Sequence, residues 1–159
     1  MQEHTLLPAL GYHDPSQFWK EVKEHNKKVD GDEILTYMHR LQALEGDHMS
    51  RESLADHGAR LPYFQGVEAW FDRINDYGVE RGLAIEHYII SSGLEEIIAG
   101  ASIRSYFKHV YASKYAYQDG RPLWPAAAIN YTGKTQYLFR INKGVMAQWD
   151  DKAVNRWFR

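Results

Sequence analysis

The chain has 159 residues, 44% of them hydrophobic and 25% charged, with a formal net charge of -2, which is the make-up of one ordinary globular domain able to bury a core. That balance speaks against the basic footprint of a nucleic-acid binder, and the absence of cysteine excludes disulfides, thiolate metal sites and a cysteine nucleophile. The start of the sequence lacks a basic segment followed by an apolar run, and no stretch nears the roughly 18 apolar residues of a membrane span, so a soluble, cytoplasmic protein without membrane partners is expected.

Up to residue 62 the signals are helical. Asp14 precedes Pro15, with Gln17 where a capping-box partner belongs and Phe18, Trp19 and Val22 on one face. Asp30-Gly31-Asp32 reads as a turn and helix cap. Ile34, Leu35, Met38, Leu41 and Leu44 then repeat at helical spacing. Met49 before Ser50 can staple onto Leu54 at the start of a third helix. Residues 1–62 are therefore expected to form a compact helical unit.

Beyond Pro62 helix and strand alternate. Val67, Trp70, Phe71, Ile74 and Tyr77 predict an amphipathic helix, and residues 84–90 predict a strand closed by Ser91-Ser92-Gly93. A helix through Leu94, Ile97 and Ile98 follows, then a short strand at residues 109–112. Tyr115-Ala116-Tyr117 and Pro122-Leu123-Trp124, separated by Asp119-Gly120, predict a hairpin. Residues 126–131 are expected to extend into a helix from about Thr132, with Tyr137, Leu138 and Ile141 on one face and Gly144 as its stop. Strands alternating with helices imply parallel pairing in an α/β sheet. The last segment, with Asp150-Asp151 as a cap and Val154, Trp157 and Phe158 behind it, predicts a final helix over residues 152–159.

Two strand-to-helix junctions carry the chemistry. After Ser91-Ser92-Gly93 the free N-H groups and positive dipole end of a helix, with a serine hydroxyl beside them, make an anion site, although a serine there serves equally as a plain N-cap. In Asn130-Tyr131-Thr132-Gly133-Lys134-Thr135-Gln136, Lys134 falls in the first helical turn, where its charge opposes the dipole. A phosphate would account for that position; a surface lysine beside a Thr132 cap is the plainer alternative. None of the eight histidines has a close ligand partner in sequence, and His87 and His109 read as structural.

His87-Tyr88-Ile89-Ile90-Ser91-Ser92-Gly93 resembles the second motif of the haloacid dehalogenase-like hydrolases (the HAD superfamily), and Tyr131-Thr132-Gly133-Lys134-Thr135-Gln136 resembles their third. Phe64-Gln65-Gly66-Val67 with the helix behind it resembles the return from an inserted helical cap into the core. The resemblance implies an α/β fold, with a partial Rossmann-like core over residues 63–159 and a helical cap over residues 1–62. It also implies a phosphatase-type hydrolase acting on a phosphorylated small molecule. Ser91, Ser92, Gly93 and Lys134 would grip the phosphate, with Ser91 and Lys134 as catalytic residues. Magnesium is the cofactor implied for the intact enzyme.

The family's nucleophilic Asp-x-Asp strand has no match upstream of the helical segment, and no buried strand with paired magnesium ligands follows the Lys134 helix. The chain is thus expected to be a fragment that binds inorganic phosphate but is inactive alone. The alternative is a non-catalytic phosphate-binding or protein-interaction module. Lacking the strand that would lie beside residues 84–90, it is also expected to expose a sheet edge that invites homo-oligomers.

Overall fold

The computed structural model describes residues 2–44, 47–146 and 152. The Asp150-Asp151 pair, Val154, Trp157, Phe158 and, Lys152 excepted, the helix expected over residues 152–159 lie outside the described residues.

Helices come first, and side-chain caps open three of them. A short α1, Leu6–Ala9, leads to α2, Pro15–Val29, where Asp14 accepts from the N-H of Ser16 and Pro15 sits at the first position. The chain then turns through Asp30, which takes the left-handed conformation at φ 48°, and Asp32 caps α3, Glu33–Gln42. The Asp30-Gly31-Asp32 segment is the expected turn and cap. Ser50 caps α4, Arg51–Ala59, with Met49 and Leu54 both buried as a staple requires. Helix α5 spans Val67–Val79, with Gly78 in its last turn and Gly82 beyond it at φ 67°.

Among the described residues the sheet has three strands in the order β1-β2-β3: β1 His87–Leu94, β2 Phe107–Gln118 and β3 Arg121–Ala127. β1 and β2 are parallel and joined by α6, Glu95–Gly100, and a 3-10 turn over Ser102–Tyr106. β2 and β3 are antiparallel, with Asp119 at φ 51° and Gly120 at φ 75° supplying the two left-handed residues of a tight hairpin. The fold is therefore mixed α/β, with a parallel pairing of β1 and β2 across α6 and an antiparallel pairing of β2 and β3 at the expected hairpin. Helix α7, Tyr131–Asn142, closes the described architecture, and Gly144 follows at φ 67°.

Three boundaries differ from the sequence reading. β1 starts at His87 and runs on through Ser91-Ser92-Gly93, which were expected to end it. The separate strand at residues 109–112 and the first hairpin arm are one twelve-residue β2, whose first half pairs with β1 and whose second half pairs with β3. The extension over residues 126–131 shrinks, since β3 ends at Ala127 and α7 already begins at Tyr131.

One core joins the helical segment to the sheet: Leu6, Phe18, Met38, Leu41 and Leu54 pack with Leu94, Ile97 and Tyr115. Helices α4 and α6 meet backbone to backbone. A Cβ on Gly58 would lie 1.9 Å from the Ile97 carbonyl oxygen, and one on Gly100 would lie 1.8 Å from that of Ala55. Among the described residues no helix is long and apolar enough to cross a membrane.

Candidate functional site

The end of β1 is irregular. Ser91 pairs with Ala112 and Leu94 with Ser113, so Ser92 and Gly93 are two extra residues accommodated against one step of β2. The Ser91 hydroxyl accepts from the Gly93 N-H at 2.9 Å. It binds its own turn and does not cap α6, whose N-cap position is Leu94 with no side-chain cap. A hydroxyl used in this way still has its own proton to donate. The carbonyl of Ser92 accepts from Tyr37 Oη of α3 at 2.5 Å.

Two acids occupy the first turn of α6, which weighs against an anion there, but neither stands as a bare charge. Glu95 pairs with Lys114 at 3.3 Å. Glu96 is buried and accepts from the Tyr115 N-H at 2.9 Å. Burial pushes its pKa up and favours the neutral acid; the Tyr115 N-H and Arg51 pull the other way without overcoming it.

At the second junction the cap is Asn130, where Thr132 was expected, and the helix begins at Tyr131. Asn130 Oδ1 accepts from the Gly133 N-H at 2.8 Å and from the Thr132 hydroxyl at 3.0 Å. Thr132 thus supports the cap without being it. Lys134 falls in the first turn, half-buried, with its N-H on the Asn130 carbonyl at 3.2 Å. Among the described residues it has no ion-pair partner.

Ser113 draws the two junctions together. It pairs with Leu94 at the end of β1, and its Oγ accepts from the N-H of Ile129, one residue before the α7 cap, at 2.9 Å. Helix α7 also packs on β1. From the helical segment, Asp32 reaches the same place, its Oδ2 accepting from Asn130 Nδ2 at 2.9 Å. Burial works to raise the Asp32 pKa, but the hydrogen bonds from Asn130, Leu35 and Ile34 outweigh it and hold the carboxyl below its ordinary value.

A cleft of about 440 Å³ lies beside this end of β1, with Ile89, Ile90 and Ser91 on one wall and Tyr63, Ile98, Ile103 and Arg104 among the others. Consecutive strand residues point to opposite faces. That all three line one cleft means it meets the strand edge-on, along the side where no described strand pairs. Ser91 reaches this cleft; Ser92, Gly93 and Lys134 do not line it.

Among the described residues no group of three or more His, Asp or Glu could hold a metal ion. Asp32 spends Oδ1 on the N-H groups of Ile34 and Leu35 and Oδ2 on Asn130. His87 and His109 have structural surroundings: His87 Nε2 meets Asn75 Oδ1 at 2.9 Å between Trp70 and Phe71, and His109 packs on Tyr111.

Sequence reasoning missed the Tyr37, Ser113, Asn130 and Asp32 links. Asn-x-x-Gly ahead of an amphipathic run was a readable cap signal for Asn130; the other three depend on pairings between residues far apart in the chain.

No family model and no solved structure matches the chain. It is similar to an uncharacterized protein of Borreliella burgdorferi, 27% identical over 159 aligned positions that cover 82% of this chain and 56% of that protein. The chain thus spans little more than half the length of the relative it matches.

Proposed function

We propose that this chain is the phosphate-gripping and cap-bearing part of a phosphohydrolase of the haloacid dehalogenase type. Residues 1–62 would serve as the cap that selects a phosphorylated small molecule. The observation that carries this reading is the meeting of both junctions on Ser113, which brings the Ser91 hydroxyl and the head of α7 to one end of the β1-α6-β2 unit. Phosphoryl transfer depends mostly on positioning and on donors that match charge on the phosphoryl oxygens. Ser91 can donate its proton, the first N-H groups of α7 add dipole, and Lys134 adds a cation. The unpaired state of Lys134 among the described residues supports this role.

NMR titration with inorganic phosphate tests it. Shifts are expected to concentrate at residues 91–94 and 132–135, and Lys134→Ala is expected to weaken binding by about 1–3 kcal/mol, the usual worth of a charge-assisted hydrogen bond. Shifts scattered over the surface, unchanged by Lys134→Ala, would leave both junctions as ordinary caps. A second reading, a non-catalytic interaction module, is favoured by the edge-on cleft beside β1, because an open strand edge bordered by apolar walls accepts an extended segment.

A further inference from the structure

Asp32 and Asn130 are 98 positions apart, yet they join two helix caps back to back. Asp32 Oδ1 caps α3 through the N-H groups of Ile34 and Leu35, while its Oδ2 takes a hydrogen from Asn130 Nδ2. Asn130 in turn caps α7 through Oδ1 on Gly133 and Thr132. An asparagine amide has one accepting and one donating end, and the N-H groups of the helix can take only the accepting one. With a carboxylate on one side, only one orientation satisfies both ends: nitrogen toward Asp32 and oxygen toward Gly133. The Gly133 N-H and the carboxylate call for the same orientation, so Asp32 anchors the donating end of an amide whose accepting end holds the first turn of α7, where the Lys134 N-H bonds the Asn130 carbonyl. Close fit reinforces the constraint, since a Cβ on Gly133 would lie only 3.2 Å from Asn130 Oδ1.

We infer that Asp32, contributed by the helical segment, is a positioning residue for the phosphate site: through Asn130 it fixes the α7 cap and thereby the placement of Lys134. The inference rests on the phosphate reading of Lys134 for its functional consequence, while the structural step stands by itself.

Asp32→Asn isolates the step, because asparagine is as good an N-cap as aspartate and keeps α3 intact, but its amide cannot hold Asn130 in the one required orientation. The full chain carrying Asp32→Asn is compared with wild type by amide hydrogen exchange and by phosphate titration. Exchange at Gly133 and Lys134 is expected to speed up about tenfold or more, as for loss of a hydrogen bond to a charged group, with Ile34 and Leu35 unchanged. Phosphate affinity is expected to fall severalfold, and that fall is expected to vanish when Asp32→Asn is made in a Lys134→Ala background. A merely structural loss would add to Lys134→Ala instead. Asn130→Ser, which keeps a capping oxygen but cannot span to Asp32, provides a second route and is expected to reproduce the effect without worsening Asp32→Asn.

Unchanged exchange at Gly133 and Lys134 in both variants would overturn the inference, as would a phosphate effect that persists without Lys134. Wild-type protein that gives no localised phosphate shifts would instead overturn the phosphate reading, and the exchange result would then decide the structural step alone.

Discussion

Gly58→Ala probes the seam between the helical segment and the α6 that follows β1. The added Cβ would stand 1.9 Å from the Ile97 carbonyl oxygen and 2.9 Å from its carbon, whereas real Cβ contacts stay above 3.0 Å. The obstacle is backbone, so no rotamer change can relieve it, and α4 and α6 must part by about 1 Å. Overpacking of this kind costs about 1–3 kcal/mol, with rigid backbone at the upper end. Alanine returns up to about 1 kcal/mol of helix propensity, which leaves a net loss of about 2 kcal/mol. For a domain of this size each kcal/mol moves the thermal midpoint by about 2–4 °C, so circular dichroism melting is expected to show a drop of about 4–8 °C. Gly100→Ala meets the Ala55 carbonyl oxygen at 1.8 Å and is expected to cost as much. The double variant is expected to lose less than the sum, since the first substitution has already parted the helices. A Gly58→Ala protein melting at or above the wild-type temperature would refute this account of the seam.

Glu96→Gln should change how stability depends on pH. Burial raises the pKa of Glu96 in the folded chain, so the folded state holds that proton more tightly than the unfolded chain does. The stability it contributes is full below the ordinary glutamate range and is lost as pH rises through the raised value. Glutamine, which never ionises, is expected to remove that loss and to make the protein more stable than wild type above the raised value; equal pH profiles of denaturant stability for the two proteins would contradict it. The side of β1 on which no described strand pairs, with Tyr88, Ile89 and Ile90 on that strand, is expected to promote self-association that Ile89→Lys reduces. A monodisperse monomer in sedimentation, with slow hydrogen exchange over residues 87–92, would count against that expectation.

Local signals in the sequence located most elements, and the failures share a cause. Caps written by one residue and its near neighbours were legible: Asp14, Asp32 and Ser50 all open helices, and Asp119-Gly120 makes the hairpin turn. The end of β1 was not legible, because Ser-Ser-Gly looks like a stop, whereas the strand continues by bulging against β2. Whether a chain bulges or ends there depends on Ala112 and Ser113, some twenty residues away. The buried partner of Glu96 was hidden for the same reason, since an acid in the first turn of a helix reads as a dipole complement until the Tyr115 N-H is placed beside it. Of the candidate site, the residue types and their junctions were visible in sequence; the Ser113 and Asp32 links that draw them together were not.

Those links bear on how the site could work. The helical segment touches the site through side chains aimed at backbone: Tyr37 Oη on the Ser92 carbonyl at 2.5 Å, and Tyr115 Oη of β2 on the Met38 carbonyl, also at 2.5 Å. Gln42 Nε2 adds bonds to the carbonyls of Pro122 and Leu123. Each fixes a main-chain position, which no rotamer change on the accepting residue can release. The bulge after Ser91 and the cap before Lys134 are therefore held by the same helix, α3, through Tyr37 and through its cap Asp32. Donors held in place before an anion arrives need little reorganisation when it does, and that is the condition under which hydrogen bonds and a lysine stabilise developing charge most effectively. Moving residues 1–62 as a lid would break these bonds together with the Gly58 and Gly100 contact. Access at this end of β1 is thus more economically explained by the edge-on cleft, which already reaches Ser91.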